Sequence, residues 1–382
     1  MKIPEKFDSI RPFEPEELPQ VFDRLISNPQ FRQAVSYVFP GVPFEALAAK
    51  MRACKSCNDF QLQFCYGFIG QLQQKECTSC DLDASVLDRT RNYTFVSNHR
   101  DIVLDSAFLD KLLVDAKFTT TCEIAIGDNL LSLPWVKDLV RINKSFIVRR
   151  GLPMREMLVA SKLLSEYMHF AIAEKKENIW IAQRVGRAKD SNDVTQEGVL
   201  KMMTMAGEGS LAERLVQLHI VPLAISYEYD PCDYLKAAEF QLKRDVKGWK
   251  KGPADDIESM RTGIFGYKGA VHYQCAPCID GYLLSLPADL SKADFYKEVA
   301  AHIDHEIHRN YRLYACNYVA LDLLEGTDSY VGHYSEADRS RFERYLQEQL
   351  DKINVPNKDE AFLRERLLTM YANPARNYMS AQ

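Results

Sequence analysis

Between residues 91 and 290, short β-branched and apolar runs alternate with longer stretches of helical periodicity. No other feature of the chain restricts the fold as much. Strand-like runs stand at Tyr93–Ser97, Thr121–Ile126, Ser145–Val148, Ile179–Ala182, Ile220–Tyr227 and Ala270–Tyr273. Between them apolar residues recur at helical spacing over Val103–Leu113, Pro153–Glu174 and Gly198–Met205. Pro153 suits the first turn of its helix, where a missing N–H has no intrahelical partner to lose. Met157, Leu158, Leu163, Leu164 and Met168 are the expected core stripe of that helix. Strands alternating with helices predict an α/β domain, a mixed sheet flanked by helices.

The flanks read differently. Prolines 12, 15, 19 and 29 punctuate the start, and Phe31, Val35 and Val38, then Leu47 and Met51, then Leu62, Cys65, Ile69 and Leu72 recur at helical spacing. Residues 291–382 are helical and charged. The expected organisation is a helical region 1–90 packed on the core, an α/β domain over 91–290 and a helical region over 291–382. A formal net charge of -5 argues against a partner held by nonspecific attraction to nucleic-acid phosphates. No stretch approaches the roughly 18 apolar residues of a membrane span. The first residues lack the apolar run of a signal peptide, which makes the cytoplasm the expected compartment.

Three cysteine pairs have C-x-x-C spacing: Cys54/Cys57, Cys77/Cys80 and Cys275/Cys278. The first two pairs are separated by 19 residues (76 − 57), within the range of a four-cysteine zinc site. Their context is poor for one, because Cys54 and Cys57 fall in a helix-like stretch and no Gly or Pro turns the chain after either pair. Reduced thiols are the preferred reading. His302, His305 and His308 recur every three residues, a repeat that drifts around a helix of about 3.6 residues per turn. A solvated polar face is preferred there, and no metal is expected.

The chemistry gathers at Ser97-Asn98-His99-Arg100-Asp101-Ile102-Val103-Leu104-Asp105-Ser106, a polar turn between a strand and a helix. A histidine at such a turn can be oriented by a carboxylate through one ring nitrogen, leaving the other to take a proton from a hydroxyl. His99-Arg100-Asp101 also opens a kinase-type catalytic loop. That loop needs an asparagine where Ser106 stands, a following Asp-Phe-Gly and a preceding Gly-rich loop, none of which is present.

The turn instead resembles the first motif of the glycerolipid acyltransferases of the 1-acylglycerol-3-phosphate type, Asn-His followed by an aspartate about one helical turn on. Three further blocks follow in the family's order. Lys144-Ser145-Phe146-Ile147-Val148-Arg149-Arg150-Gly151 delivers two arginines to the end of a strand-like run. Arginine forks suit phosphate oxygens, and the resemblance implies that Arg149, with Arg150 beside it, binds the acceptor phosphate. Gln183-Arg184-Val185-Gly186-Arg187-Ala188-Lys189 matches the third block in its glycine and basic residues, with Gly186, Arg187 and Lys189 as further binding candidates. Val185 stands where the family has a glutamate. Val221-Pro222 and the strand after it resemble the fourth block. The family spacing is His-x4-Asp, whereas five residues separate His99 from Asp105 and one separates it from Asp101. Asp105 is the expected orienting carboxylate and Asp101 the alternative.

The resemblance covers roughly residues 90–230 and implies acyl transfer from an acyl-carrier-protein or coenzyme A thioester to the hydroxyl of a lysophospholipid. His99 would be the general base, with no metal or other cofactor. A soluble chain acting on lipid must visit the membrane surface without crossing it, so peripheral association with the inner face is expected. Two alternatives keep the motifs: transfer to an acyl-amino-acid lipid, or, given Val185, a noncatalytic module that binds lipid or carrier protein. A zinc-stabilised interaction protein built on the N-terminal cysteines is a third.

Overall fold

The six strand-like runs and one further segment pair into a seven-stranded sheet in a computed structural model, which describes residues 2–382. The strands are β1 (Cys77–Asp83), β2 (Thr94–Ser97), β3 (Cys122–Gly127), β4 (Ser145–Val148), β5 (Asn178–Ala182), β6 (Ile220–Tyr227) and β7 (Gly269–Cys275). Their order is β1-β7-β6-β2-β5-β3-β4. Neighbours from β6 through β4 are parallel, whereas β7 runs antiparallel to β6 and carries β1 parallel to itself. The sheet is therefore mixed, and the fold is α/β with helical segments at both ends.

β2 lies near the middle of the sheet and all four of its residues are buried. A central strand covered on both sides shows no alternation of buried and exposed positions, and its polar Thr94 and Ser97 are buried with Phe95 and Val96. On one face Phe95 and Trp180 pack with Phe108, Leu109 and Leu112 of the helix Leu104–Asp115. On the other, Val96, Ile179 and Ile181 pack with Leu164, Tyr167 and Met168 of the helix Met154–Phe170 and with Ile303 of the helix Lys292–Arg309. Helices Ala315–Glu325, Glu336–Lys352 and Glu360–Ser380 close a separate apolar cluster with Ala237 of the helix Asp233–Asp245. Helices Leu18–Ser27 and Phe44–Ala53 close another that takes in Ile142. No helix among the described residues is long and apolar enough to cross a membrane.

Two sequence expectations need correction. Cys77–Asp83, inside the stretch read as helical, is edge strand β1. Its polar Cys-Thr-Ser-Cys-Asp-Leu-Asp sequence carries no strand signal, because one side of an edge strand faces solvent and backbone pairing with β7 alone holds it. Leu158, assigned to the core stripe, is instead 56% exposed, while Leu164 and Met168 of the same helix are buried. Leu158 lies about 120° around the helix from Leu164, off the side that is buried. The cysteine pairs at 54/57 and 77/80 do not converge. Cys57 Sγ points at the Phe13 and Arg141 carbonyls within the N-terminal cluster, and Cys80 Sγ accepts from Gln73. The one group of metal-ligand types among the described residues is His219, Cys278 and Asp280, with Arg91 3.7 Å from Asp280. It stands where β6 begins, at the sheet edge away from His99.

Candidate active site

Parallel strands share one carboxyl edge. Ser97 of β2 is level with Ala182 of β5, and Gly127 of β3 is level with Val148 of β4. The segments beginning at Asn98, Gln183, Asp128 and Arg149 therefore all leave from this edge, where open α/β sheets hold their ligands. Strand spacing puts β2 and β4 on the order of 14 Å apart, across β5 and β3.

Asn98 fixes where the histidine begins. Its amide donates to the Ile225 carbonyl at 2.8 Å and accepts from the Ile225 N–H at 2.8 Å, so the side chain replaces a strand's backbone pairing with β6. His99 Nδ1 lies 2.8 Å from Asp105 Oδ2. A carboxylate accepts, which assigns the Nδ1 proton to this bond and leaves the Nε2 lone pair free. The imidazole meets the Trp180 ring edge-on at 5.5 Å, and the Trp180 indole N–H is held by Ser97 Oγ at 3.0 Å. The His99 side chain is 14% exposed and that of Asp105 fully buried.

Asp105 Oδ2 also accepts the Arg100 and Asp101 backbone N–H groups, at 2.6 and 3.1 Å. Three donors thus lock one oxygen, and the side chain sits in the first turn of its helix, where a negative charge meets the positive end of the dipole. The five residues between His99 and Asp105 are taken up by the turn before Leu104. Asp101 does not touch the imidazole. Its Oδ1 accepts from the Val103 and Leu104 N–H groups at 2.8 and 2.7 Å, which caps the helix. Burial and the neighbouring Asp105 push its carboxyl above the usual range, against the pull of those two N–H groups. Arg100 turns the other way, into a buried ion pair with Asp193 at 2.8 Å beside Tyr311.

The cationic residues fall into two groups. Arg149 is exposed and makes no ion pair among the described residues. Arg150 donates its backbone N–H to Asp128 Oδ1 at 3.1 Å and lays its guanidinium over Gly127, where a Cβ would meet Nε at 2.7 Å. Its Nε is buried without a partner, as is Nη1 of Arg187. Two unpaired guanidinium donors beside the carboxyl edge are what an anionic headgroup would satisfy. Gly186 has φ +73 with open space where a Cβ would stand, so the residue is needed for the left-handed turn. Val185 beside it is exposed. Lys189 does not stand free: its ammonium lies against Glu239, which Lys243 also contacts at 2.9 Å. Burial, with Lys243, Lys251 and Arg187 nearby, pushes the Lys189 ammonium down to about 7. Of the C-terminal histidines, expected on a solvated face, His305 is exposed while the other two are packed. His302 stacks on Tyr282 and His308 Nε2 meets the Asp193 carbonyl.

The Asn-His motif names Asn98 without its bonds to Ile225, and no sequence signal marks Trp180 or Gly263. Gly263, in the helix Pro253–Phe265, touches the Asp101 carboxylate so closely that a Cβ would overlap Oδ2.

No curated protein matches the chain. Among solved structures it is similar to the 1-acyl-sn-glycerophosphate acyltransferase of Thermotoga maritima, at 12% identity over 76% of this chain and 95% of that one, with a TM-score of 0.38. Residues 83–226 match the family described as Acyltransferase, a span running from the end of β1 to β6 that includes His99, Asp105 and both arginine turns. Over that segment, which spans less than half of the chain, the protein is similar to the Acyltransferase family.

Proposed function

We propose that the protein transfers a fatty acyl group from a carrier thioester to a hydroxyl of a lysophospholipid or glycerol-phosphate acceptor. The observation that carries this reading is the His99–Asp105 pair, closed at 2.8 Å on the sheet edge from which the Arg149 and Arg187 turns also leave. His99 Nε2 takes the acceptor's hydroxyl proton as the oxygen attacks the thioester carbonyl. A C–O bond forms, the C–S bond breaks, and the departing thiolate recovers the proton from the imidazolium. Asp105 holds the ring through Nδ1 and offsets the positive charge that develops on it. Arg149, Arg150 and Arg187 hold the acceptor's phosphate, which confines its hydroxyl near the base. Lys189, occupied by Glu239, serves the shape of the loop, and Asp101 serves the helix that carries Asp105.

The donor is an acyl-carrier-protein or coenzyme A thioester, and the protein works from the cytoplasmic face of the membrane as a peripheral enzyme. The test supplies purified protein with either donor and with three acceptors: glycerol 3-phosphate, a lysophosphatidic acid, and an acyl-amino-acid lipid bearing a hydroxyl. Release of free thiol with a phosphate-bearing acceptor supports the reading. Turnover confined to the carboxylate-bearing lipid would replace the acceptor, and none with any of them would remove the reading.

A further inference from the structure

The helix Met154–Phe170 buries Leu164, Tyr167 and Met168 but exposes the residues that open it. Met154 is 82% exposed and Val159 70%, the two highest values among the large apolar side chains, and Leu158 is 56% exposed. At about 3.6 residues per turn, Leu158 and Val159 lie on the side turned away from Leu164 and Tyr167, with Arg155 and Lys162 between them and Met154 at the margin of the same arc. Apolar residues at such positions lower solubility without contributing to the core, so an exposed group of them marks a contact surface.

We infer that this projecting turn is the face by which the protein docks on an anionic lipid bilayer, Met154, Leu158 and Val159 entering the headgroup region while Arg155 and Lys162 lie among lipid phosphates. Charge complementarity supports this occupant. Arg155 is exposed and Lys162 is 64% exposed, and long basic side chains can lay their stems along an apolar surface with the charge in the headgroups. Position supports it too. The helix follows β4 directly, so its first turn stands at the carboxyl edge that carries His99, and Val185, 60% exposed, stands on the turn after β5 at the same edge. Docked this way, the candidate site faces the layer that holds a lipid acceptor. The assignment of that edge as the active face rests on the proposed function; the docking itself does not.

The test is co-sedimentation of the full chain with vesicles of phosphatidylcholine containing phosphatidylglycerol, beside vesicles of phosphatidylcholine alone. Catalysis is not required, so failure of the acyl-transfer reading leaves this result interpretable. Wild type should pellet with the anionic vesicles, more weakly with the neutral ones. The Leu158→Glu/Val159→Glu variant should bind at least about tenfold more weakly with an unchanged melting temperature, since neither side chain is buried. Arg155→Ala should reduce the preference for anionic vesicles. Wild type remaining in the supernatant, or the double variant pelleting equally, would overturn the inference. A double variant that binds vesicles normally but loses turnover with acyl-carrier-protein donors alone would also overturn it, by assigning the patch to that protein.

Discussion

Gly263 backs the Asp101 carboxylate at contact distance, so the helix Pro253–Phe265 buttresses the turn that joins His99 to Asp105. Asp101 accepts from the Val103 and Leu104 N–H groups at the start of the helix Leu104–Asp115, and the first turn of that helix presents Asp105 to the imidazole. The positioning of the base thus depends on a glycine more than 150 residues away in sequence (263 − 99 = 164).

Gly263→Ala should therefore act on catalysis without touching substrate. A methyl group cannot fit without moving the Asp101 carboxylate, and overpacking of this kind costs about 1–3 kcal/mol. Thermal unfolding should report that loss, and turnover should fall at unchanged KM for the acceptor. A variant with wild-type stability and turnover would show that the contact carries no constraint.

Asp233 sets part of the pH dependence of stability. Its carboxylate is buried and receives the hydroxyls of Tyr345 and Tyr371, each at 2.7 Å. Burial raises its pKa from 3.8 to about 7, against the pull of those hydroxyls. The folded protein then retains a proton that the unfolded chain has released over most of that interval. The stabilisation from Asp233 is fully present below about pH 4 and is lost as pH rises through 7. Urea unfolding between pH 5 and 7 should reveal this slope, at most about 1.4 kcal/mol per pH unit for one proton. Asp233→Asn should flatten it relative to wild type, and an unaltered difference between the pH values would contradict the assignment.

Val185 offers a gain-of-function test. The side chain is exposed at the turn after β5 while its N–H donates to Gln196 Oε1 at 2.9 Å, so a longer polar side chain can be accommodated without disturbing the loop. Val185→Glu places the related family's acidic group beside Arg184 and Arg187. Turnover with a phosphate-bearing acceptor should rise severalfold, read as kcat/KM. No change would mean that another group already serves the acceptor hydroxyl here.

Much of this arrangement was legible in the sequence wherever the signal is local. β4 and β6 stand where their apolar runs predict, and the Asn98-His99 turn falls between strand and helix as its polarity requires. What escaped is nonlocal. Nothing near Asn98 announces its double bond to Ile225, and nothing near Arg100 announces its burial against Asp193. β1 escaped because an edge strand need not be apolar, and the Lys189–Glu239 pair escaped because Glu239 lies on a helix that follows β6. Leu158 falls outside the core because it lies about 120° around the helix from Leu164, so the apolar stripe read from the sequence is wider than the side that is buried.

The most direct measurement compares turnover of wild type, His99→Ala and Asp105→Asn with one acyl thioester and one phosphate-bearing acceptor, with binding of the acceptor measured separately. If the Asp105-held imidazole is the base, His99→Ala should lower kcat by roughly 10²–10⁴-fold, Asp105→Asn should lower it substantially, and acceptor affinity should change little in either. Wild-type kcat in His99→Ala would contradict the assignment outright.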